Sequence, residues 1–156
     1  MNIYIDLQVA TKDTDNLPTQ DEIATYATKA LLMEGYDKDE AEITVRFVEN
    51  DEIQELNSDY RHKDYVTNIL SFPFECPDGV DLPLLGDLVI SKAVVEKEAL
   101  EQGKTIKEHY AHLIVHGVLH LLGYDHIDEC DAMLMEPLEI SIVEALGFDN
   151  PYKDEI

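Results

Sequence analysis

At 156 residues the chain is long enough for one domain with a real core and too short for two comfortable ones. Apolar residues make up 45% and charged residues 29%, which excludes a disordered or fibrous protein, and no run of 18 or more apolar residues is present to span a membrane. The net charge is −23, and residues 125–156 carry ten acidic side chains against Lys153 alone; this argues against broad, nonspecific binding to a phosphate backbone but leaves room for a small positive patch, a metal or a basic protein partner.

The N-terminus lacks a basic region and a long apolar stretch, so it reads as a strand and not a signal peptide. Ile3, Ile5 and Leu7 alternate with Tyr4, Asp6 and Gln8, the period of two of a half-buried strand. After a loop, Thr19 and Glu22 form a capping-box pattern. Ile23, Tyr26, Ala27, Ala30 and Leu31 then supply the apolar stripe of a helix closed by Gly35. ITVRFV (43–48) is a second strand. Asn50 is placed to cap a short helix whose inner face is Ile53, Leu56 and Tyr60.

TNILSFPF (67–74) is strand-like, ECPDGVDLP is a turn-rich connector, and LLGDLVIS (84–91) is a further strand. Ser91 is placed to cap KAVVEKEALEQ, which stops at Gly103. Thr105 and Glu108 repeat the capping-box pattern and open a helix expected to end at Gly123. Asp128 or Asp131 opens a last helix running to about Leu146, with Gly147 as its stop. Pro137 falls inside that span and must sit in its first turn or kink it. The order β-α-β-α-β-β-α-α-α predicts an α+β fold: a single domain over 1–156, one mixed sheet of about four strands, and about five helices. Cys76 and Cys130 are too few for a disulfide framework and read as free thiols of a reducing cytoplasm, filling space as small hydrophobes.

Four of the six histidines lie in HLIVHGVLHLLGYDH (112–126). On a helix His116 and His120 stand one turn apart, about 40° around the axis, so their imidazoles can converge on one ion. Gly123 can reverse the chain and carry His126 back toward them. Three neutral imidazoles leave a fourth position open, the arrangement of a catalytic zinc, which polarises a phosphoryl or carbonyl oxygen and acidifies bound water. A lone histidine on an apolar helix is more often a hydrogen-bonded core residue. His109 and His112, on nearly the same face, read as core residues or as supports for the ligands. Zinc peptidases of the H-E-x-x-H type place a general-base Glu directly after the first His, and here that position is Gly117.

Arg61, His62 and Lys63 form the only basic triplet, and Arg46 is the only other arginine. A guanidinium offers a planar fork to phosphate oxygens; the competing reading is a surface charge favourable to the end of a helix dipole.

HGVLHLLGYDH (116–126) resembles the signature H-G-x-L-H-L-x-G-Y-D-H of the YbeY family of bacterial rRNA maturation factors. LNSDYRHKDYVTNILSFPF (56–74) and LGDLVIS (85–91) are similar to two further segments of that family, so the likeness covers most of residues 43–148. Asn68 stands where the family commonly has Asp, and reads as a strand-entry hydrogen-bonding position that Asn can serve. The resemblance implies a metal-dependent, single-strand-specific endoribonuclease, usually with zinc, that trims the 3′ end of small-subunit (16S) rRNA and serves ribosome quality control in the cytoplasm. It implies His116, His120 and His126 as metal ligands and Arg61 as the functional arginine. The expected partners are single-stranded rRNA and the ribosome or its small-subunit proteins, the latter basic enough to meet an acidic surface. The general base is left open among Asp87, Asp125 and Glu75, with the 2′-hydroxyl of RNA as another nucleophile. The rival readings are a metallopeptidase-like hydrolase and a non-catalytic, zinc-stabilised ribosome assembly factor.

Overall fold

A computed structural model describes residues 2–74, 82–124 and 129–152, with the side chains of 129–134 outside the described set. The expected order is present: β1 (Asn2–Ala10), α1 (Gln20–Met33), β2 (Glu40–Val48), α2 (Asn50–Arg61), β3 (Ile69–Pro73), β4 (Leu84–Ser91), α3 (Lys92–Gln102), α4 (Ile106–Leu121) and α5 (Glu129–Ala145). The four strands form one mixed sheet in the order β1-β2-β4-β3. β1 runs parallel to β2 and β2 to β4, while β3 is an antiparallel edge beside β4.

The side-chain period of two sends alternate residues of the strands to opposite faces. Ile43, Val45 and Phe47 of β2, with Leu88 and Ile90 of β4, face the main core, which α1, α3, α4 and α5 complete. Val48 and Val89 face the other way and, with Leu70 of β3, meet Ile53 and Leu56 of α2 in a smaller core. Among the described residues α2 is the one helix that packs in this smaller core, and its C-terminal end leads to the turn before the β3 edge. No described helix is long and apolar enough to cross a membrane.

The caps of α1, α3 and α4 follow the sequence and that of α2 does not; of the two caps expected for α5, Asp131 lies inside the helix and Asp128 falls outside the described residues. Thr19 and Glu22 form the complete capping box of α1. Thr105 Oγ1 accepts from Glu108 N at 3.1 Å, and Ser91 Oγ accepts from Val94 N at 3.2 Å. Asn50, expected as the cap of α2, is instead its first residue: Glu49 occupies the cap position without a side-chain bond, and Asn50 Oδ1 accepts from Ser91 Oγ at 2.7 Å. The tertiary partner has taken the amide that local sequence assigned to capping. Tyr60, expected on the inner face of α2, is exposed and leans on Phe72 with ring centroids 5.4 Å apart.

Pro137 is the ninth residue of α5, so it lies in the helix interior and not in its first turn. At Gly86 of β4 the backbone φ is +146°, and a Cβ would stand 2.3 Å from the carbonyl oxygen of Phe72. Glycine there lets β3 close against β4 and bring its residues beside α4.

Candidate functional site

From His109 to Leu121 every residue of α4 is buried except His116 and His120. The apolar neighbours of these two pack against the sheet and the flanking helices, so the two rings are the partly open side chains of this stretch. Their Nε2 atoms lie 3.0 Å apart, with ring centroids 4.5 Å apart. Two nitrogens bound at tetrahedral angles to one zinc ion would sit about 3.3 Å apart. The imidazole pair therefore fits two corners of a metal site. Among the described residues no group of three His, Cys, Asp or Glu side chains surrounds one point. His126, the third expected ligand, lies outside the described residues, as do Asp125 and Glu75.

Behind the pair stands Glu139 of α5, which is fully buried. His116 Nδ1 donates to its Oε1 at 3.1 Å, and His112 Nε2 donates to the same oxygen at 2.7 Å. The first bond puts the His116 proton on Nδ1 and makes Nε2 the lone-pair nitrogen, directed at His120. Burial pushes the Glu139 carboxyl up, but the hydrogen bonds from His112 and His116 outweigh it and hold the group at about 2. Burial pushes His112 below its ordinary value, against the pull of Glu139. The His112 direction favours a neutral imidazole, and the Glu139 direction an ionised carboxylate that accepts from it. His112 thus supports the pair through Glu139 without facing the opening.

His109 belongs to a separate network. Its Nε2 lies 3.0 Å from Glu98 Oε1, which also accepts from Asn68 Nδ2 at 3.0 Å. Asn68 Oδ1 accepts from Ile69 N at 2.7 Å, and Ser91 N donates to the Asn68 carbonyl. Asn68 is the strand-entry hydrogen-bonding residue that the sequence suggested.

The imidazole pair forms one wall of a cleft of about 360 Å³ whose other walls are the end of α2, the following turn and β3. Arg61, Lys63 and Tyr65 line it together with His116 and His120. The turn is pinned from within: His62 closes α2 at φ 57°, Lys63 N donates to the Asn57 carbonyl, and the buried Asn57 Nδ2 donates to the Tyr65 carbonyl at 2.9 Å. Arg61, Lys63 and the Tyr65 ring are consequently exposed on a fixed backbone. Arg46 is bound to Glu52 at 2.7 and 3.1 Å, whereas Arg61 has no ion-pair partner among the described residues. No Asp or Glu is among the described residues that line the cleft, although the chain as a whole carries −23. The described lining thus carries two cations, Arg61 and Lys63, against an acidic background, and a guanidinium beside an ammonium is suited to a phosphate. Asp87, a candidate base, is exposed on β4 and does not line the cleft.

The family model described as Endoribonuclease YbeY matches residues 6–147. The chain belongs to the YbeY family. Among solved structures, it is similar to TM1509 from Thermotoga maritima, determined in solution, with a TM-score of 0.59 and 26% identity over 91% of this chain and 87% of that one. The match makes this YbeY chain a member of an endoribonuclease family, and RNA the class of molecule that family acts on.

In this YbeY member the structure joins three of the four residues singled out by sequence, Arg61, His116 and His120, in one cleft. Sequence reading missed Glu139, which looked like one of ten C-terminal acids. The available signal was its spacing: Met135, Glu139, Ile142 and Val143 share one buried stripe, a carboxylate on an apolar helix face. Tyr65 and Asn57 were missed as site residues: Asn57 lies in the LNSDYR stretch of the family likeness, but nothing in the sequence shows that its amide braces the turn carrying Tyr65.

Proposed function

We propose that the chain is a zinc-dependent, single-strand-specific endoribonuclease that acts in the cytoplasm on the 3′ end of small-subunit (16S) rRNA and serves ribosome quality control. The observation that carries the reading is the convergence of Arg61 and Lys63 on the His116–His120 pair in a cleft without carboxylates among its described lining residues. His116, His120 and His126 would hold the zinc. A bound zinc ion supplies Lewis acidity toward a phosphoryl oxygen and acidifies water.

The chain's own groups do the rest. The Arg61 guanidinium grips non-bridging phosphate oxygens and offsets the charge that grows on the phosphoryl group as the P–O bond breaks. Lys63 adds a second positive charge along the backbone path. The exposed Tyr65 ring offers a stacking face to a base, and a base is available for stacking only when it is unpaired, which favours single strands over duplex. Glu139 keeps the His116 proton on Nδ1 and so holds Nε2 toward the opening.

Gly117 counts against a peptidase. A Cβ there would stand 2.7 Å from Leu88 Cδ2 and 3.0 Å from Ile69 Cδ1, so the position following the first histidine points into the core, away from any substrate. The acidic surface outside the cleft suits contact with basic small-subunit ribosomal proteins.

The test is cleavage of a single-stranded RNA, the matching duplex and casein by the purified chain, with and without a chelator, alongside His120→Ala. Metal-dependent cutting of the single strand alone is expected, with zinc and activity both lost in His120→Ala. If His120→Ala loses zinc yet supports rRNA maturation as well as the wild type, the catalytic reading falls and a non-catalytic assembly role takes its place.

A further inference from the structure

The bonding of Glu139 does not end at the two histidines. Its Oε1 also accepts from Tyr152 Oη at 3.0 Å. Tyr152 lies in the turn that follows α5, outside every helix and strand. Its ring meets His112 edge-on, with centroids 5.1 Å apart, and its Oη stands 3.2 Å from His112 Nε2. The turn is itself tied down. Lys104 Nζ, from the loop between α3 and α4, donates to the Pro151 carbonyl at 2.6 Å, Pro151 is buried, and Tyr152 N donates to Asn150 Oδ1 at 2.8 Å.

We infer that this C-terminal turn sets the aim of the imidazole pair: Tyr152 is a positioning residue that fixes the Glu139 carboxylate, which fixes the ring of His116. The inference rests on reading His116 and His120 as metal ligands. The torsion that turns a Glu carboxylate is broad and soft, so its orientation is decided by its hydrogen-bond partners. Here three donors converge on one oxygen of a carboxylate with no solvent exposure. Two of them, His112 and His116, stand one turn apart on the same helix and leave the carboxylate a path to swing along the helix axis. Tyr152 arrives from a different element and closes that path. Without the phenol, His116 Nδ1 shares a less constrained acceptor and the ring's tautomer and tilt relax together. A Phe ring would fill the same space, so packing alone does not account for a hydroxyl aimed into this cluster.

The experiment uses the full chain carrying Tyr152→Phe, with three readouts. Zinc affinity is measured by competition with a chromophoric chelator. The His116 ring nitrogens are followed by NMR in zinc-free, 15N-histidine-labelled protein. The thermal midpoint of the zinc-free protein is measured in parallel. Residues that hold the ring of a metal-bound histidine typically change affinity by about 10–100-fold, and Tyr152, acting through Glu139, belongs at the tenfold end. The expected result is a zinc Kd raised about tenfold, a weakened Nδ1–H signature at His116, and a midpoint close to wild type. Lys104→Met, which releases the turn at Pro151, shifts zinc affinity in the same direction.

Wild-type zinc affinity with a wild-type His116 nitrogen pattern in Tyr152→Phe overturns the inference. So does a loss of affinity that only tracks lost zinc-free stability while the nitrogen pattern stays unchanged. His116→Ala separates the two layers. If it loses zinc while Tyr152→Phe does not change, the positioning role alone falls; if it retains full zinc affinity, the metal reading falls.

Discussion

Glu139→Gln keeps the size and outline of the side chain and removes its charge, so it isolates what an ionised group contributes inside this core. Two routes give the magnitude. A hydrogen bond to a charged acceptor contributes about 1.5–3 kcal/mol against about 1 for a neutral one, so with three donors on Oε1 the loss is a few kcal/mol. Holding the carboxyl at about 2, from an ordinary 4.5, corresponds to about 3 kcal/mol for a group with no solvent exposure. Both lead to a destabilisation of about 3 kcal/mol at neutral pH, a large part of the about 5–15 kcal/mol that holds a domain folded. The sign with pH follows from the depressed value. The contribution is whole above 4.5, where the unfolded carboxyl is ionised, and is lost as pH falls from 4.5 toward about 2. Urea unfolding of the zinc-free wild type and variant, at steps of pH from neutral downward, measures the difference directly. A variant as stable as wild type at neutral pH, or a gap that stays constant through the acid range, refutes the view of Glu139 as a carboxylate stabilised by the histidines.

Arg61→Ala should abolish most RNA cleavage, about 10²–10³-fold for a lost charge-stabilising donor, while stability changes by no more than about 0.5 kcal/mol because the side chain is exposed and unpaired among the described residues; kcat and a urea midpoint on the same preparation check both. Tyr65→Ala should weaken single-stranded RNA binding by about 1–3 kcal/mol and Tyr65→Phe should not, since the ring supplies a stacking face and the hydroxyl nothing; fluorescence anisotropy with single-stranded and duplex RNA of one sequence reads the difference. Gly117→Ala should destabilise despite a helix-propensity gain of about 1 kcal/mol, because the new methyl would lie 2.7 Å from the fully buried Leu88 and overpacking costs about 1–3 kcal/mol. A higher urea midpoint for that variant would mean the core beneath α4 is looser than it looks.

Much of this molecule is visible in its residues, and the gaps have physical causes. Thr19, Glu22 and the stripe from Ile23 to Leu31 specify α1 locally, so its start and its buried face follow directly. His116 and His120 are one turn apart whatever surrounds them, so their convergence follows from helix geometry alone. The meeting of Arg61 with that pair is different. It depends on β3 pairing with β4 at the sheet edge and on Asn57 bracing the turn, and neither long-range pairing nor a buried amide leaves a periodic trace. The strand order β1-β2-β4-β3 was likewise hidden, because alternation reports which side of a strand is buried and not which strand lies beside it. Asn50 shows local chemistry losing to a tertiary partner, Ser91. Pro137 shows the reverse risk: a residue that usually ends helices sits deep within α5.

The helix that bears the imidazole pair is enclosed by the sheet and by α1, α3 and α5, with every other residue from His109 onward taken up by the interior. Such a helix cannot drift by small steps, since each neighbouring position is answerable to the fold before it is answerable to a substrate. Divergence among relatives should therefore accumulate on exposed positions that neither the interior nor the cleft uses, where side chains can be exchanged at little expense to the whole. That division leaves the imidazole pair held by the fold itself while the outer surface is free to change around it.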